Sequence, residues 1–202
     1  NRAVILVDTF ETQQGFPQKK FRITLDDFPA IKAHDVYETD SVVSVCYSAH
    51  TSSPSSSNEI GAFVTTFSLD TEGIIATYPL PYQMIGESLH QCSFRSALEL
   101  YTISSAAVGG NPEKDYLSRF LLRSSEALSS WRSEISFKLS ESDILPQSWL
   151  NQVYVFIPSD TSNPLVQVFD RHSGEVMDTL EPPVESETIT SFTVTPTGSL
   201  VL

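Results

Sequence analysis

Short runs in which apolar and polar residues alternate recur along most of the chain. Alternation with a period of two places successive side chains on opposite faces of a strand, as in half-buried antiparallel sheets. The runs are AVILVD (3–8), FRITLDDF (21–28), SVVSVCYSA (41–49), IGAFVTTFSLD (60–70), GIIATY (73–78), SFRSALELYTI (93–103), EISFKLS (134–140), QVYVFI (152–157), LVQVFD (165–170), EVMDTL (175–180) and TITSFTV (188–194). They predict a mostly β fold, an antiparallel β-barrel or sandwich-like single domain that spans residues 1–202.

One stretch departs from the alternation and predicts a short helix near 112–131. Asn111, Pro112 and Glu113 suit a helix N-cap, a first turn and an early acidic position. Apolar residues then fall near helical spacing, namely Leu117, Phe120, Leu121, Leu128 and Trp131. The alternative is an edge strand, DYLSRFLLR (115–123), followed by a serine-rich loop.

The charge balance narrows the range of partners. Lys and Arg number 12 against 25 Asp and Glu, which gives a formal net charge of -13. Such a surface repels phosphate backbones and anionic lipid heads, so we expect no nucleic-acid partner. No window approaches the run of roughly 18 apolar residues that a membrane span needs, so we expect no membrane insertion.

The two cysteines, Cys46 and Cys92, leave their redox state open. Cys46 lies in VVSVCYSAH, where a buried free thiol is the simpler expectation, since free cysteine is often buried. A bridge between them would close a long loop. No Asn-x-Ser/Thr sequon occurs, which argues mildly against a glycosylating secretory pathway.

Hairpin turns account for the residues that most resemble reactive groups. The sequence Asp-Arg-His-Ser-Gly at 170–174 contains the side chains of a hydrolase, but it links two runs of matching length. Neighbours in one turn generally cannot align nucleophile, base and orienting acid, so we predict a hairpin with Arg171 and His172 pointing into water. Similarly, Thr71-Glu72-Gly73 predicts a hairpin loop in which Gly73 takes a positive φ.

No sequence motif of catalysis or of cofactor binding is found. The four histidines lack the spacing of a helical metal site, Gly109-Gly110 lacks a following Lys-Ser/Thr, and no G-x-S-x-G elbow occurs. We therefore predict no catalytic residue, no metal and no cofactor.

The C-terminal third contains a series of strand and turn motifs. A Pro-Gln-x-Trp element occupies 146–149, an Asp-x-x-Ser-Gly turn 170–174, and a Val-Met pair 176–177. Over residues 145–202 these motifs resemble the protruding capsid segment of caliciviruses. The size of the whole chain, and its character of a single β domain, more closely resemble the spike domain of an avian-type astrovirus capsid.

This resemblance implies a compact domain that forms a homodimer on the virion surface of a particle assembled in the host cytoplasm. The implied partners are a host-cell receptor, either glycan or protein, and neutralising antibodies. The resemblance supplies no motif for receptor contact, so the candidates are loop residues, since recognition collects on loops. They are Thr51, Ser52, Ser55, Asn58, Ser159, Asn163, Arg171 and His172.

Two other functions stay open at this stage. A carbohydrate-active hydrolase on a β scaffold would need carboxylates brought together from distant strands. A cellular β-sandwich adhesion module is the other, and the missing sequons weaken it. The polar segment 50–59 is predicted to be an exposed loop. It is either a simple connection between strands or a contact for a partner.

Overall fold

The computed structural model describes most of the chain in segments. They are residues 3–10, 17–25, 28–52, 54, 58–82, 86–107, 114–124, 126–135, 147–149, 151–157, 165–181, 193–195 and 200–201. The chain divides into two compact units, Asn1–Leu80 and Pro81–Leu202. The single-domain expectation stays a prediction.

The first unit consists of two antiparallel sheets. One has two strands and the other has four strands in chain order. The strands are β1 (Ala3–Phe10), β2 (Pro17–Leu25), β3 (Ala30–Glu38), β4 (Val42–His50), β5 (Glu59–Ser68) and β6 (Gly73–Leu80). β4 is a central strand with both faces buried, and the ring of Tyr47 stacks on that of Phe63 with centroids 5.8 Å apart.

The second unit contains two four-stranded antiparallel sheets and a short two-stranded one. The strands of the first are β7 (Ser88–Ser96), β8 (Glu99–Ala106), β9 (Lys114–Arg123) and β10 (Glu126–Ile135). Those of the second are β11 (Gln147–Trp149), β12 (Gln152–Ile157), β13 (Leu165–Asp170) and β14 (Val176–Leu180). β15 (Thr193–Val194) pairs with β16 (Leu200–Val201).

The two four-stranded sheets of the second unit share one hydrophobic core. Its members come from both sheets, namely Tyr101, Ile103, Leu117, Trp131, Ile135, Val153, Val155, Leu165 and Phe169. Inward residues of two facing sheets make the core of a β-sandwich. The prediction of a mostly β, sandwich-like fold is thus confirmed, and the described strands form open sheets rather than a closed barrel.

The predicted helix near 112–131 is wrong over the residues that the structure describes there. Residues 114–123 form β9 and residues 126–135 form β10, while 111–113 lie outside the described residues. β9 lies between β8 and β10, so it is not the edge strand of the alternative either. A central strand buried on both faces loses the alternation that marks a half-buried one.

Two smaller expectations also need correction. At the β5–β6 hairpin the positive φ belongs to Glu72 (54°), and Gly73 is already the first residue of β6. Both cysteines are fully buried and disulfide-bonded, so the expected free thiol is wrong. Free thiols and disulfides are both commonly buried, so the apolar sequence around Cys46 does not distinguish between them.

Within the described segments, no helix has the length and hydropathy that a membrane crossing requires.

Candidate recognition surfaces

The polar segment after β4 covers residues 51–58, which we call the Asn58 loop, and its described end residues are joined by hydrogen bonds. The backbone N–H of Thr51 donates to the carbonyl of Asn58 at 3.0 Å. The side-chain amide of Asn58 donates to Oγ of Ser52 at 2.7 Å. Thr51, Ser52 and Pro54 are exposed, and Asn58 is half-buried. Thr51 and Ser52 are thus exposed beside a hydrogen-bonded base.

Two histidines continue this base into the sheet. His50, expected in the exposed loop, is instead the last residue of β4 and only 2% exposed. Its Nδ1 lies 3.1 Å from Oδ1 of Asn58, and its Nε2 lies 2.9 Å from Oγ of Ser48. His34 on β3 places its Nε2 3.0 Å from the same Oγ.

The amide of Asn58 fixes the direction of its own hydrogen bond with His50. Because Oδ1 of Asn58 only accepts, Nδ1 of His50 is the donor. On the other side of the ring, Nε2 of His50 lies within hydrogen-bond distance of the hydroxyl of Ser48, as does Nε2 of His34. The conformation of the loop base is therefore coupled to side chains inside the four-stranded sheet.

The turn between β13 and β14, which we call the Asp170 turn (residues 170–174), is the predicted hairpin. Oδ1 of Asp170 accepts from the backbone N–H groups of His172 (2.9 Å) and Ser173 (2.7 Å). The bond from Ser173, followed by the bond from His172, lowers the pKa of Asp170. Asp170 is thus a turn former, as the sequence predicts.

This turn is docked on the edge strand β10. The indole Nε1 of Trp131 donates to the carbonyl of Arg171 at 2.7 Å, and the hydroxyl of Ser133 donates to the carbonyl of Gly174. Gly174 is buried with a φ of 75°, and a Cβ there would lie 2.6 Å from the Trp131 ring. Only glycine fits this close approach without a shift of the ring.

A buried carboxylate anchors the same turn from the other side. Nε and Nη2 of Arg171 donate to Oε1 and Oε2 of Glu99 at 2.9 and 2.5 Å, a bidentate pair. Arg119 Nε and the Tyr101 hydroxyl also donate to Oε1, at 2.8 and 2.9 Å. Nη1 of Arg95 lies 3.3 Å from Oε2. We call these five residues the Glu99 cluster.

Electrostatics in the Glu99 cluster follow from burial and hydrogen bonding. Burial acts to raise the pKa of Glu99, but the hydrogen bonds from Arg171, Tyr101 and Arg119 outweigh it and lower the pKa to about 2. Burial, and then the adjacent Glu99 carboxylate, raise the pKa of the Tyr101 hydroxyl. Glu99 is therefore charged at neutral pH.

The Glu99 cluster corrects the expectation for Arg171, and the cluster itself was not predicted from the sequence. Arg171 does not point into water: its side chain is 16% exposed and lies on Glu99, whereas His172 is exposed as expected. One signal for the cluster was present in the sequence. Glu99 shares the alternation of Tyr101 and Ile103, which face the core, and an acidic residue in a core-facing position requires a partner.

A second polar group that sequence reasoning missed joins β7, β8 and β9. Nε2 of His90 contacts Oγ of Ser105, whose hydroxyl donates to Oδ1 of Asp115. Ser105 and Asp115 are each 3% exposed. The serine is central in this line and its proton points to the aspartate, whereas a hydrolytic triad places histidine between serine and acid.

A third polar group surrounds Arg132 on β10. Its Nη1 donates to Oε1 of Glu87 at 2.7 Å, and its Cζ lies 3.8 Å from the ring centroid of Tyr116. Ser104 donates to the same Oε1 at 2.6 Å. Nε and Nη2 of Arg132 are buried without a hydrogen-bond partner, which leaves one edge of the guanidinium unsatisfied.

The predicted recognition residues fall into two described groups. Thr51, Ser52 and Asn58 share the Asn58 loop of the first unit. Arg171 and His172 share the Asp170 turn of the second unit. The predicted residues Ser55, Ser159 and Asn163 lie outside the described residues.

Among the described residues, no group of three or more His, Cys, Asp or Glu side chains is placed to hold a metal ion. No protein-family model and no curated protein matches the chain.

Proposed function

We propose that this domain is the surface spike of a non-enveloped RNA virus capsid, which attaches the particle to a host cell and bears antigenic loops. The observation on which this mainly rests is the Asn58 loop. The base of this loop is held by hydrogen bonds of Asn58 with Ser52 and with buried His50. The loop exposes Thr51, Ser52 and Pro54 to solvent. A loop held in place by a rigid sheet is the usual arrangement of a recognition surface.

The chemistry of the loop suits weak contacts repeated many times. Each hydroxyl contact to a partner contributes only about 1 kcal/mol net, so one site alone binds weakly. Display of many copies on one particle raises the overall affinity without any stronger contact. The receptor in this proposal is a glycan or a protein.

The proposal includes a homodimer on the outside of the virion, reached by neutralising antibodies. The disulfide bonding of both cysteines supports an exterior position, because disulfides persist in oxidising surroundings such as virion surfaces. A twofold dimer is also the commonest closed homo-oligomer. Light scattering at high micromolar concentration should give twice 22.4 kDa, and a mass of one chain only would refute the dimer.

We further propose that the domain is not an enzyme. The line of His90, Ser105 and Asp115 supports this, because the serine proton points to Asp115 and not to a histidine base. Hydrolysis of a glycan by the wild-type domain, at a rate above that of buffer, would contradict this part of the proposal.

The attachment function is tested by replacing residues 52–57 with an Asn-Gly turn. Thr51 and Asn58 are already paired by a backbone hydrogen bond, so a two-residue turn can close the hairpin without disturbing His50. On beads that display many copies, we expect the variant to lose attachment to cultured cells by roughly tenfold or more. Replacing the β5–β6 loop residues 70–72 with Asn-Gly is the control for a shortened loop. Equal attachment by a folded 52–57 variant would remove the Asn58 loop from the receptor site.

A further inference from the structure

The Glu99 cluster contains more positive charge than its one carboxylate balances. Three guanidinium groups, those of Arg95, Arg119 and Arg171, converge on Glu99. The cluster therefore has an excess of two positive charges in a chain whose formal net charge is -13. A local excess of this sign attracts anions that the rest of the surface repels.

Arg95, the most exposed arginine of the cluster, has hydrogen-bond donors that no described residue uses. Arg95 is exposed, and its Nη1 makes one hydrogen bond of 3.3 Å to Glu99. The described residues offer no partner to its Nε or Nη2. A guanidinium edge with free donors matches the two oxygens of a carboxylate.

Apolar and hydroxyl groups lie beside the cluster on the same sheet. Glu99 is paired in register with Leu121, and Leu121 with Leu128, so the three side chains share one sheet face. Leu128 is 46% exposed. Two residues along β10, exposed Ser130 accepts from Nη1 of Arg119 at 3.3 Å, which leaves its own hydroxyl proton for a ligand.

We propose that Arg95, Leu128 and Ser130 form a binding site for a sugar that carries a carboxylate. The carboxylate lies against Arg95, one apolar face of the ring packs on Leu128, and a ring hydroxyl accepts from Ser130. Leu128 on β10 lies three strand spacings, about 14 Å, from Arg95 on β7. The Arg95 side chain crosses to Glu99 on β8, which leaves two spacings, about 10 Å, for one or two sugar rings. This inference rests on the proposed attachment function and names the chemical class of the receptor.

The charge distribution favours an acidic sugar over an acidic peptide. A chain with a formal net charge of -13 repels a peptide with several carboxylates more strongly than a sugar with a single carboxylate. A protein partner also needs an interface of about 800 Å² on each side, far more than one guanidinium edge and one leucine supply.

The experiment measures retention of the full chain, displayed on beads, on surfaces coated with 3′-sialyllactose, a glucuronate-terminated disaccharide, lactose or polyglutamate. We expect retention on one of the two acidic sugars to exceed that on lactose by at least tenfold, and to fall as salt is raised. Arg95→Gln should reduce it by roughly tenfold to a hundredfold, and Arg95→Lys by less, because lysine keeps the charge but loses the planar edge. Lys114→Gln, at the opposite end of β9, removes the same charge and should have no effect.

Equal retention on lactose, retention on polyglutamate alone, or full retention by Arg95→Gln would each overturn the acidic-sugar site. Melting temperatures of the Arg95 variants within scatter of the wild type exclude misfolding as the cause of a loss. Attachment of the wild type to cells separates the two proposals. If wild type and Arg95→Gln attach equally to cells, the sugar site is wrong and the spike function stands. If the wild type attaches to no cell, the spike function itself fails.

Discussion

Replacing Glu99 with glutamine should lower the free energy of unfolding at pH 7 by about 3–5 kcal/mol. The side chain is 6% exposed and accepts from Arg95, Tyr101, Arg119 and Arg171. A neutral amide leaves the largely buried guanidinium groups of Arg119 and Arg171 without their counter-charge, and removal of one partner of such a pair is costly. Chemical denaturation with an unchanged m-value is the measurement.

The matched control is Glu126→Gln, the same change at the exposed first residue of β10. It should alter the unfolding free energy by no more than about 0.5 kcal/mol. A loss below about 1 kcal/mol in Glu99→Gln would show that the Glu99 cluster does not hold the Asp170 turn.

The pH dependence of stability provides a second readout of the same residue. The pKa of Glu99 is about 2 in the folded chain against 4.5 for the unperturbed group. A lowered carboxyl pKa stabilises the fold above pH 4.5, and this contribution is lost as the pH falls through about 2. The difference corresponds to about 3 kcal/mol, so the gap between wild type and Glu99→Gln should narrow by about that amount on acidification.

Gly174→Ala should destabilise the second unit by about 3 kcal/mol. A residue other than glycine at a φ of 75° costs about 1–2 kcal/mol, and a Cβ 2.6 Å from the Trp131 ring adds overpacking of about 1–3 kcal/mol. Denaturation monitored by tryptophan fluorescence is the measurement.

Gly86→Ala separates the two causes, since Gly86 has a φ of 77° but nothing within 4 Å of its added Cβ. Only the backbone cost of about 1–2 kcal/mol should appear there. If both variants lose the same stability, the contact of Gly174 with Trp131 contributes nothing.

The β content could be predicted from the sequence because one face of many strands is more exposed than the other. The exposure of β3 alternates in part in this way. The predicted runs 165–170 and 175–180 match β13 and β14 to within one residue. β9 was not predicted because its apolar residues Leu117, Phe120 and Leu121 imitate helical spacing after a Pro-Glu pair that suits a helix start. β4 is buried on both faces too, but its valines favour a strand. A local pattern does not reveal which strand is central.

The candidate surfaces show the same division between local and long-range information. The bonds of Asp170 to residues two and three positions later follow from local turn chemistry, and the hairpin prediction is confirmed. The pairing of Arg171 with Glu99 joins residues 72 positions apart, and that with Trp131 joins residues 40 positions apart. Such partners depend on how the two sheets of the second unit pack, which no local pattern encodes.

The most direct test of the attachment function compares the wild-type domain at two valencies on a panel of cultured avian and mammalian cells. Labelled beads that display many copies should attach to at least one cell type, by about a hundredfold more than the free domain at equal concentration. Free domain added in excess should compete for that attachment. If neither beads nor free domain attach to any cell of the panel, this domain is not an attachment spike.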